Sequence, residues 1–178
     1  MPYIEKTMKS ERIYDGKILN LRVDTVELPD KKYSKREIVE HPGAVAIIAI
    51  NENKEMIMIR QYRKAIDKIL LEIPAGKLEL NEEPIESAKR ELKEETGYTA
   101  DKIEYVMEFY TSPGFSNEKI YLFLAQGLTE GEQELEVGEY IDVEKYSLDE
   151  LMKMIKLGEI VDSKTIIGIS YYYNMINK

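Results

Sequence analysis

Residues 73–98 read IPAGKLELNEEPIESAKRELKEETGY, and this stretch decides the fold. Pro84 is tolerated at a first helical position and Gly97 stands where a helix ends, so the spacing predicts a helix between them. Ile85, Ala88 and Leu92 recur at i, i+3, i+7 and give that helix one apolar face. Glu91, Glu94 and Glu95 lie at i, i+3, i+4, in an arc of about 100° beside the apolar stripe and not opposite it. Like charges so placed destabilise an isolated helix by about 0.2–0.5 kcal/mol per pair. Lys89, Arg90 and Lys93 balance part of that repulsion. Two meanings fit: a solvated face rich in a good helix former, or a set of oxygen ligands. Mg²⁺ takes a few carboxylates, keeps several waters and is often completed by substrate phosphates.

Outward from the helix, the chain alternates between strand and helix patterns. PGAVAIIAI (42–50) and EMIMIRQY (55–62), joined by Asn51–Lys54, read as a buried strand and its hairpin neighbour. EIPAGKLELNEE (72–83) reads as a short strand running into a loop. Further strands are expected at 103–110, 119–126 and 139–145. Ser147-x-x-Glu150 is a capping box that starts a second helix, and Gly158 closes it. A third helix over 162–176 carries Ile166, Ile169, Tyr173 and Ile176 on its expected buried stripe. Residues 1–40 form an extended, hairpin-like unit in which Leu19, Leu21 and Val23 alternate with polar residues, and Pro29-Asp30 turns the chain before Tyr33–Glu40. The expected class is α/β (α+β), a mixed sheet with helices on its faces. The expected division is an N-terminal β unit at 1–40 and a second domain at 41–178.

Composition narrows the chemistry. The 178 residues hold 25 Lys+Arg against 34 Asp+Glu, a net charge of −9, so nucleic acid and anionic membrane are poor partners. Without cysteine there is no disulfide, thiol nucleophile or Cys-ligated metal. The single histidine, His41, excludes poly-histidine metal sites and reads as a packed or turn residue beside Pro42. Carboxylate and hard-metal chemistry remains. The acidity is local: 72–95 holds eight acids and four bases, net −4, and 130–150 holds nine acids and one base, net −8. The longest uncharged run, 165–177, has thirteen residues, too short for a membrane helix of about 18 or more. A cytoplasmic location is the expectation. Thirteen tyrosines include Tyr171-Tyr172-Tyr173, which point in different directions on a helix and serve packing.

The order of residues in the opening stretch is more specific than any of this. From Gly76 it runs five residues, Glu82, seven residues, Arg90-Glu91-Leu92, one residue, Glu94-Glu95, one residue, Gly97. This resembles the Nudix box, with Tyr98 where an aliphatic residue is usual, a departure on the packing side and not the metal side. KREIVEHPGAVAI (35–47), RQYRKA (60–65), LEIPAGK (71–77) and TSPGFSNE (111–118), with Pro113 sixteen residues after Gly97, are similar to the ADP-ribose pyrophosphatase branch of Nudix hydrolases. The likeness covers most of residues 12–175.

That resemblance implies a Nudix fold and Mg²⁺-dependent hydrolysis of the ADP-ribose pyrophosphate to AMP and ribose 5-phosphate, with Mn²⁺ as a substitute metal. Other nucleoside-diphosphate-linked substrates, or a nucleotide-sensing module without catalysis, are the alternatives. It implies Glu91 and Glu95 as metal ligands, the Ala75 carbonyl as a further ligand and Glu94 close to the same cluster. Glycine at 76 lets a backbone approach a ligand closely. Arg90 orients the carboxylates, and Glu82 ties the loop to the helix. Arg36, Glu37, Arg63, Ser112 and Glu118 match substrate-contacting positions. Lys17 and Ile18 match positions that reach a neighbouring subunit's adenine pocket, so a homodimer built through residues 1–40 is implied.

The acidic loop supplies the last candidates. Histidine is nearly absent, so a carboxylate must serve as base or late ligand. LEVGEYIDV (135–143) offers Glu136 and Glu139 around Gly138. In related enzymes a glutamate from this loop closes over the metals and substrate. Spacing back from Ile141 matches Glu139 to the loop-ligand position, and Glu136 to the base with a one-residue shift.

Overall fold

Seven consecutive residues with no polar side chain, Ala44–Ile50, make strand β4, buried from Val45 onward on both faces. A continuous apolar run is what a central strand covered on both sides requires. Val45, Ile47 and Ala49 pack on one side with Ala88 and Leu92 of helix α1 (Pro84–Thr96). On the other side lies helix α3 (Ser163–Ile176): a Cβ on its Gly168 would come within 3.2 Å of Ile48 and 3.0 Å of Ile73. Complete burial of Leu92 alone contributes about 1.5–3 kcal/mol.

The computed structural model describes residues 3–177, which fall into two units. The first runs to Gly43 and adds Phe109–Lys119; the second holds Ala44–Glu108 and continues from Ile120. In the first unit β1 (Lys6–Asp15), β2 (Asn20–Glu27) and β3 (Tyr33–Glu40) form an antiparallel sheet in that order. Every residue of β1 is exposed, and Met8, Ile13, Tyr14, Ile18 and Tyr33 present apolar surface in this unit. The segment is the expected antiparallel hairpin unit, built as a three-stranded meander. KTMKSERIYD has no alternation to betray the first strand.

The second sheet has the order β10-β5-β4-β9-β8, with β6 on β5 and β7 on β4. Its strands are β5 (Glu55–Arg63), β6 (Lys68–Glu72), β7 (Ala75–Lys77), β8 (Thr99–Tyr110), β9 (Lys119–Thr129) and β10 (Ile141–Ser147). β4 pairs β9 in parallel and β5 and β7 antiparallel, so the sheet is mixed. Helix α2 (Leu148–Leu157) starts on the expected capping box, with Ser147 and Glu150 bonded reciprocally. Gly97 and Gly158 end α1 and α2 in the left-handed conformation.

The stretch 72–83 is a short strand running into a loop, as expected: β6 ends at Glu72 and Ala75–Lys77 pairs again, on β4. Two expectations need correction. Ile85 is 38% exposed, so the buried face of α1 is Ala88, Leu92 and Glu95. In α3 the buried positions are Lys164, Thr165, Gly168, Ile169 and Tyr172; Tyr173 and Ile176 face outward. The stripe turns because Gly168 leaves room for Ile48 and Ile73, which an apolar count does not register.

Candidate active site

The antiparallel pairing of β4 with β7 sets Val45 opposite Gly76 and Ala46 opposite Ala75, and α1 packs against both strands. Two helix carboxylates therefore meet the β7 backbone. Glu95, only 4% exposed, accepts the Ala75 N–H through Oε2 at 2.8 Å. Glu91 lies directly on Gly76: a Cβ there would fall 1.8 Å from its carboxyl carbon and 2.1 Å from both oxygens. Glycine is needed at 76 because the carboxylate fills the side-chain space.

Arg90 organises the rest of the helix face. Its Nε and Nη2 donate to both oxygens of Glu82 at 2.9 Å, and its Nη1 donates to Glu91 at 2.7 Å and Glu94 at 2.9 Å. This grip holds the Glu82 carboxyl down at about 2. Glu82 also accepts the Glu79 N–H at 3.1 Å, so it ties the loop to the helix as expected. Burial pushes the Glu91 carboxyl up, against the opposing pull of Arg90. Burial also pushes Glu95 up to about 8; the Ala75 N–H works against that rise, while the charges of Glu91 and Glu139 add to it.

A second constellation fixes the approach to β7. Glu72, buried at the end of β6, accepts a bidentate pair from Arg63 at 2.7 Å through each oxygen and is also bonded by Lys164 of α3. Burial alone would raise its carboxyl, but Arg63 and Lys164 outweigh it and hold the group below the usual range. Asp162 caps α3 by accepting the Thr165 N–H at 3.0 Å, and Thr165 Oγ1 in turn accepts the Ile73 N–H at 2.9 Å. The α3 N-terminus thus pins the Ile73-Pro74 step before Ala75. Lys164 and Thr165 carry no motif that reveals this, since their partners lie 92 residues away.

The predicted site residues take definite places. In the second unit, Ala75, Glu91, Glu94 and Glu95 gather at the β7–α1 contact, while Arg63 has its guanidinium committed to Glu72. Glu136 and Glu139 form a turn in which the Glu139 N–H donates to Glu136 O at 3.1 Å and the Glu136 N–H to Glu139 Oε2 at 3.2 Å. Glu139 is the loop acid whose charge reaches Glu91 and Glu95. In the first unit, Arg36 is paired with Glu5 at 2.5 Å and Glu37 is exposed on β3. Lys17 and Ile18 occupy the exposed β1–β2 turn. The carbonyl of Ser112 accepts the Phe115 and Ser116 N–H groups, and Glu118 accepts from Thr111 Oγ1 at 2.6 Å. His41 Nδ1 accepts the Gly43 N–H at 3.1 Å, a turn role as read from the sequence.

Among the described residues no three His, Cys, Asp or Glu side chains are arranged to hold a metal ion by themselves. The groups that do converge are the Glu91 and Glu95 carboxylates, hard oxygen ligands, set against the β7 backbone. A cradle of two carboxylates on a strand backbone fits a cation that keeps part of its water shell and takes phosphate oxygens, as Mg²⁺ does.

Comparison with known proteins gives the family. The NUDIX domain matches residues 40–166, and the nucleoside diphosphate sugar hydrolase N-terminal domain matches residues 5–39. The chain is 49% identical over 169 residues to a methanol dehydrogenase activator of Bacillus methanolicus, covering 94% of this chain and 91% of that protein. It is 47% identical, with the same coverage, to an ADP-ribose pyrophosphatase of Bacillus subtilis (strain 168). A crystal structure of an ADP compounds hydrolase superposes with a TM-score of 0.86 at 19% identity, covering 97% of this chain and 94% of that one.

Proposed function

The chain belongs to the NUDIX family, and from that premise we propose that it hydrolyses the pyrophosphate bond of ADP-ribose, giving AMP and ribose 5-phosphate, with Mg²⁺ or, in its place, Mn²⁺. The observation that carries the reading is the intact pair of carboxylates on the β7 backbone, Glu91 on Gly76 and Glu95 on Ala75. A nucleotide sensor without catalysis has no use for two carboxylates gathered against one strand backbone. The relative from Bacillus subtilis, named for ADP-ribose, supports the substrate.

A divalent cation held at this cradle would neutralise phosphate charge and make a bound water more acidic. Glu91 and Glu95 would hold it, with the Ala75 carbonyl as a further ligand. Arg90 keeps Glu91 and Glu94 in place by charge-assisted hydrogen bonds. Glu139 arrives from the loop as base or late ligand, and Glu136 sets the turn that presents it. Arg36, Glu37, Arg63, Ser112 and Glu118 are assigned to substrate contact. Arg36 and Arg63 would meet phosphate by exchanging carboxylate for phosphate oxygen, which a planar fork accepts equally well.

A second reading is a nucleotide-sugar substrate, favoured by the match of residues 5–39 to an N-terminal domain of nucleoside diphosphate sugar hydrolases. Incubation with ADP-ribose, ADP-glucose, GDP-mannose and a dinucleotide, with products identified by mass, separates the two. ADP-ribose should be cleaved fastest; a nucleotide sugar cleaved faster would transfer the assignment to it.

Glu139→Gln should lower kcat at least about tenfold, some 1.4 kcal/mol in barrier, with a smaller change in KM. Glu136→Gln belongs beside it. Normal turnover by both single variants and the double variant would remove the loop from the chemistry.

Residues 1–40 are assigned as the assembly unit of a cytoplasmic homodimer and 41–178 as the hydrolase domain. The support is the apolar surface of the first unit, with Met8, Ile13 and Tyr14 all exposed on β1. Sedimentation at micromolar concentration should give a dimer that Ile13→Lys weakens. A monomer of the parent protein under those conditions would overturn the assignment.

A further inference from the structure

The last carbonyls of an α-helix lack partners inside it. In α1 the Lys93 carbonyl is met by the Gly97 N–H at 2.8 Å. The next two are met from the acidic loop. The Glu134 N–H donates to Glu94 O at 3.0 Å, and Gln133 Nε2 donates to Glu95 O at 2.6 Å. The same Gln133 amide also donates to Ile141 O at 3.3 Å. One neutral side chain therefore joins the residue that bears the buried carboxylate to the first residue of β10. It closes the loop 134–140 at its base, and Glu139 stands two residues before that closure.

Charge opposes this closeness. The loop carries Glu130, Glu132, Glu134, Glu136 and Glu139, and the facing end of α1 carries Glu91, Glu94 and Glu95. Lys93 pairs with Glu134 at 2.8 Å, but both groups are about half exposed, 47% and 58%, and such pairs contribute little. A neutral amide donor avoids the repulsion and is indifferent to salt. An acid at 133 would add to it, and a lysine there would compete for the carboxylates.

We propose that Gln133 is a positioning residue, holding the acidic loop in register with α1 so that Glu139 is presented to the Glu91–Glu95 cradle. It touches neither substrate nor reacting atoms; it acts through the two carbonyls it binds. The proposal rests on the role assigned above to Glu139.

Gln133→Ala removes both hydrogen bonds without adding charge, and Gln133→Glu keeps the shape while removing the donors. Two readouts are taken on each. The first is amide hydrogen exchange in the chelator-treated protein, where the Glu136 and Glu139 N–H groups report the loop turn and the Val143–Tyr146 amides of β10 serve as reference. Exchange at 136–140 should quicken about tenfold or more in both variants, with the β10 amides unchanged. The second is steady-state kinetics with ADP-ribose and Mg²⁺, where kcat should fall about fivefold or more while KM stays within about twofold.

Unchanged exchange at 136–140 in both variants overturns the proposal whatever the kinetics. Faster exchange with unchanged kcat also overturns it. In that case Glu139→Gln tells which idea failed: if that variant is impaired, only the positioning role is lost, and if it turns over normally, the loop assignment has fallen with it.

Discussion

Glu95→Gln should be almost inactive and yet more heat-stable than the parent protein when both are freed of divalent cations. The carboxyl is buried and accepts the Ala75 N–H; the Arg63 charge also favours its ionised form, but among the described residues no cation is in ion-pair contact with it. Burial lifts it from 4.5 to about 8. A group that holds its proton more tightly folded than unfolded favours the folded state at low pH. Its contribution therefore turns unfavourable as pH rises from about 4.5 and levels off above about 8. At pH 7 the cost of the raised carboxyl is on the order of 3 kcal/mol, since each unit corresponds to about 1.4 kcal/mol. Glutamine keeps the acceptor for Ala75 and never ionises, so it should recover about 1–3 kcal/mol, or roughly 5 °C in Tm for a chain of this size. The gain should vanish near pH 5 and shrink when Mg²⁺ is added to the parent. If Glu95 holds the cation as proposed, losing its charge should cost kcat on the order of 10³-fold. Thermal unfolding across pH in the presence of chelator checks the first part, and turnover of ADP-ribose the second. A variant no more heat-stable than the parent at pH 8 would contradict the buried-charge account of Glu95.

Gly76→Ala should abolish activity with little loss of stability. The backbone at 76 is not in the left-handed region, so alanine fits the strand; the three atoms nearest an added methyl all belong to the Glu91 carboxylate, the closest at 1.8 Å. Glu91 escapes that overlap only by leaving the cradle. Turnover should fall about 100-fold or more, while Tm moves by no more than about 4 °C. Because one carboxylate accounts for the whole effect, Gly76→Ala introduced into Glu91→Ala should cost almost nothing further. A full additional loss in that double variant would show that the methyl harms something other than Glu91.

The parts of the fold that sequence discloses are those whose signals are local. Pro84 and Gly97 bracket α1, and Ser147 with Glu150 opens α2; the structure has both boundaries there. The run from Ala44 to Ile50 marks a strand covered on both faces, and α1 and α3 cover it. Where burial belongs to glycine, threonine or a charged residue, apolar periodicity is blind. Gly168 and Thr165 are core positions of α3, and Glu72 is wholly buried because Arg63 and Lys164 meet it from elsewhere in the chain. Ile85 fits the apolar period and still faces water. The site divides in the same way. The helix spacing singles out Glu91, Glu94 and Glu95, but that Arg63 grips Glu72 and that Gln133 grips two carbonyls depends on tertiary approach. Backbone acceptors leave no mark on the residues that bear them.

The measurement that bears most directly on the central claim is ADP-ribose hydrolysis by protein stripped of divalent cations, followed by mass before and after Mg²⁺ is restored. The account predicts intact ADP-ribose in the presence of chelator, and AMP with ribose 5-phosphate in equal amounts once Mg²⁺ is added. Release of AMP at the same rate with chelator present, or ADP-ribose left intact with Mg²⁺ present, would contradict it.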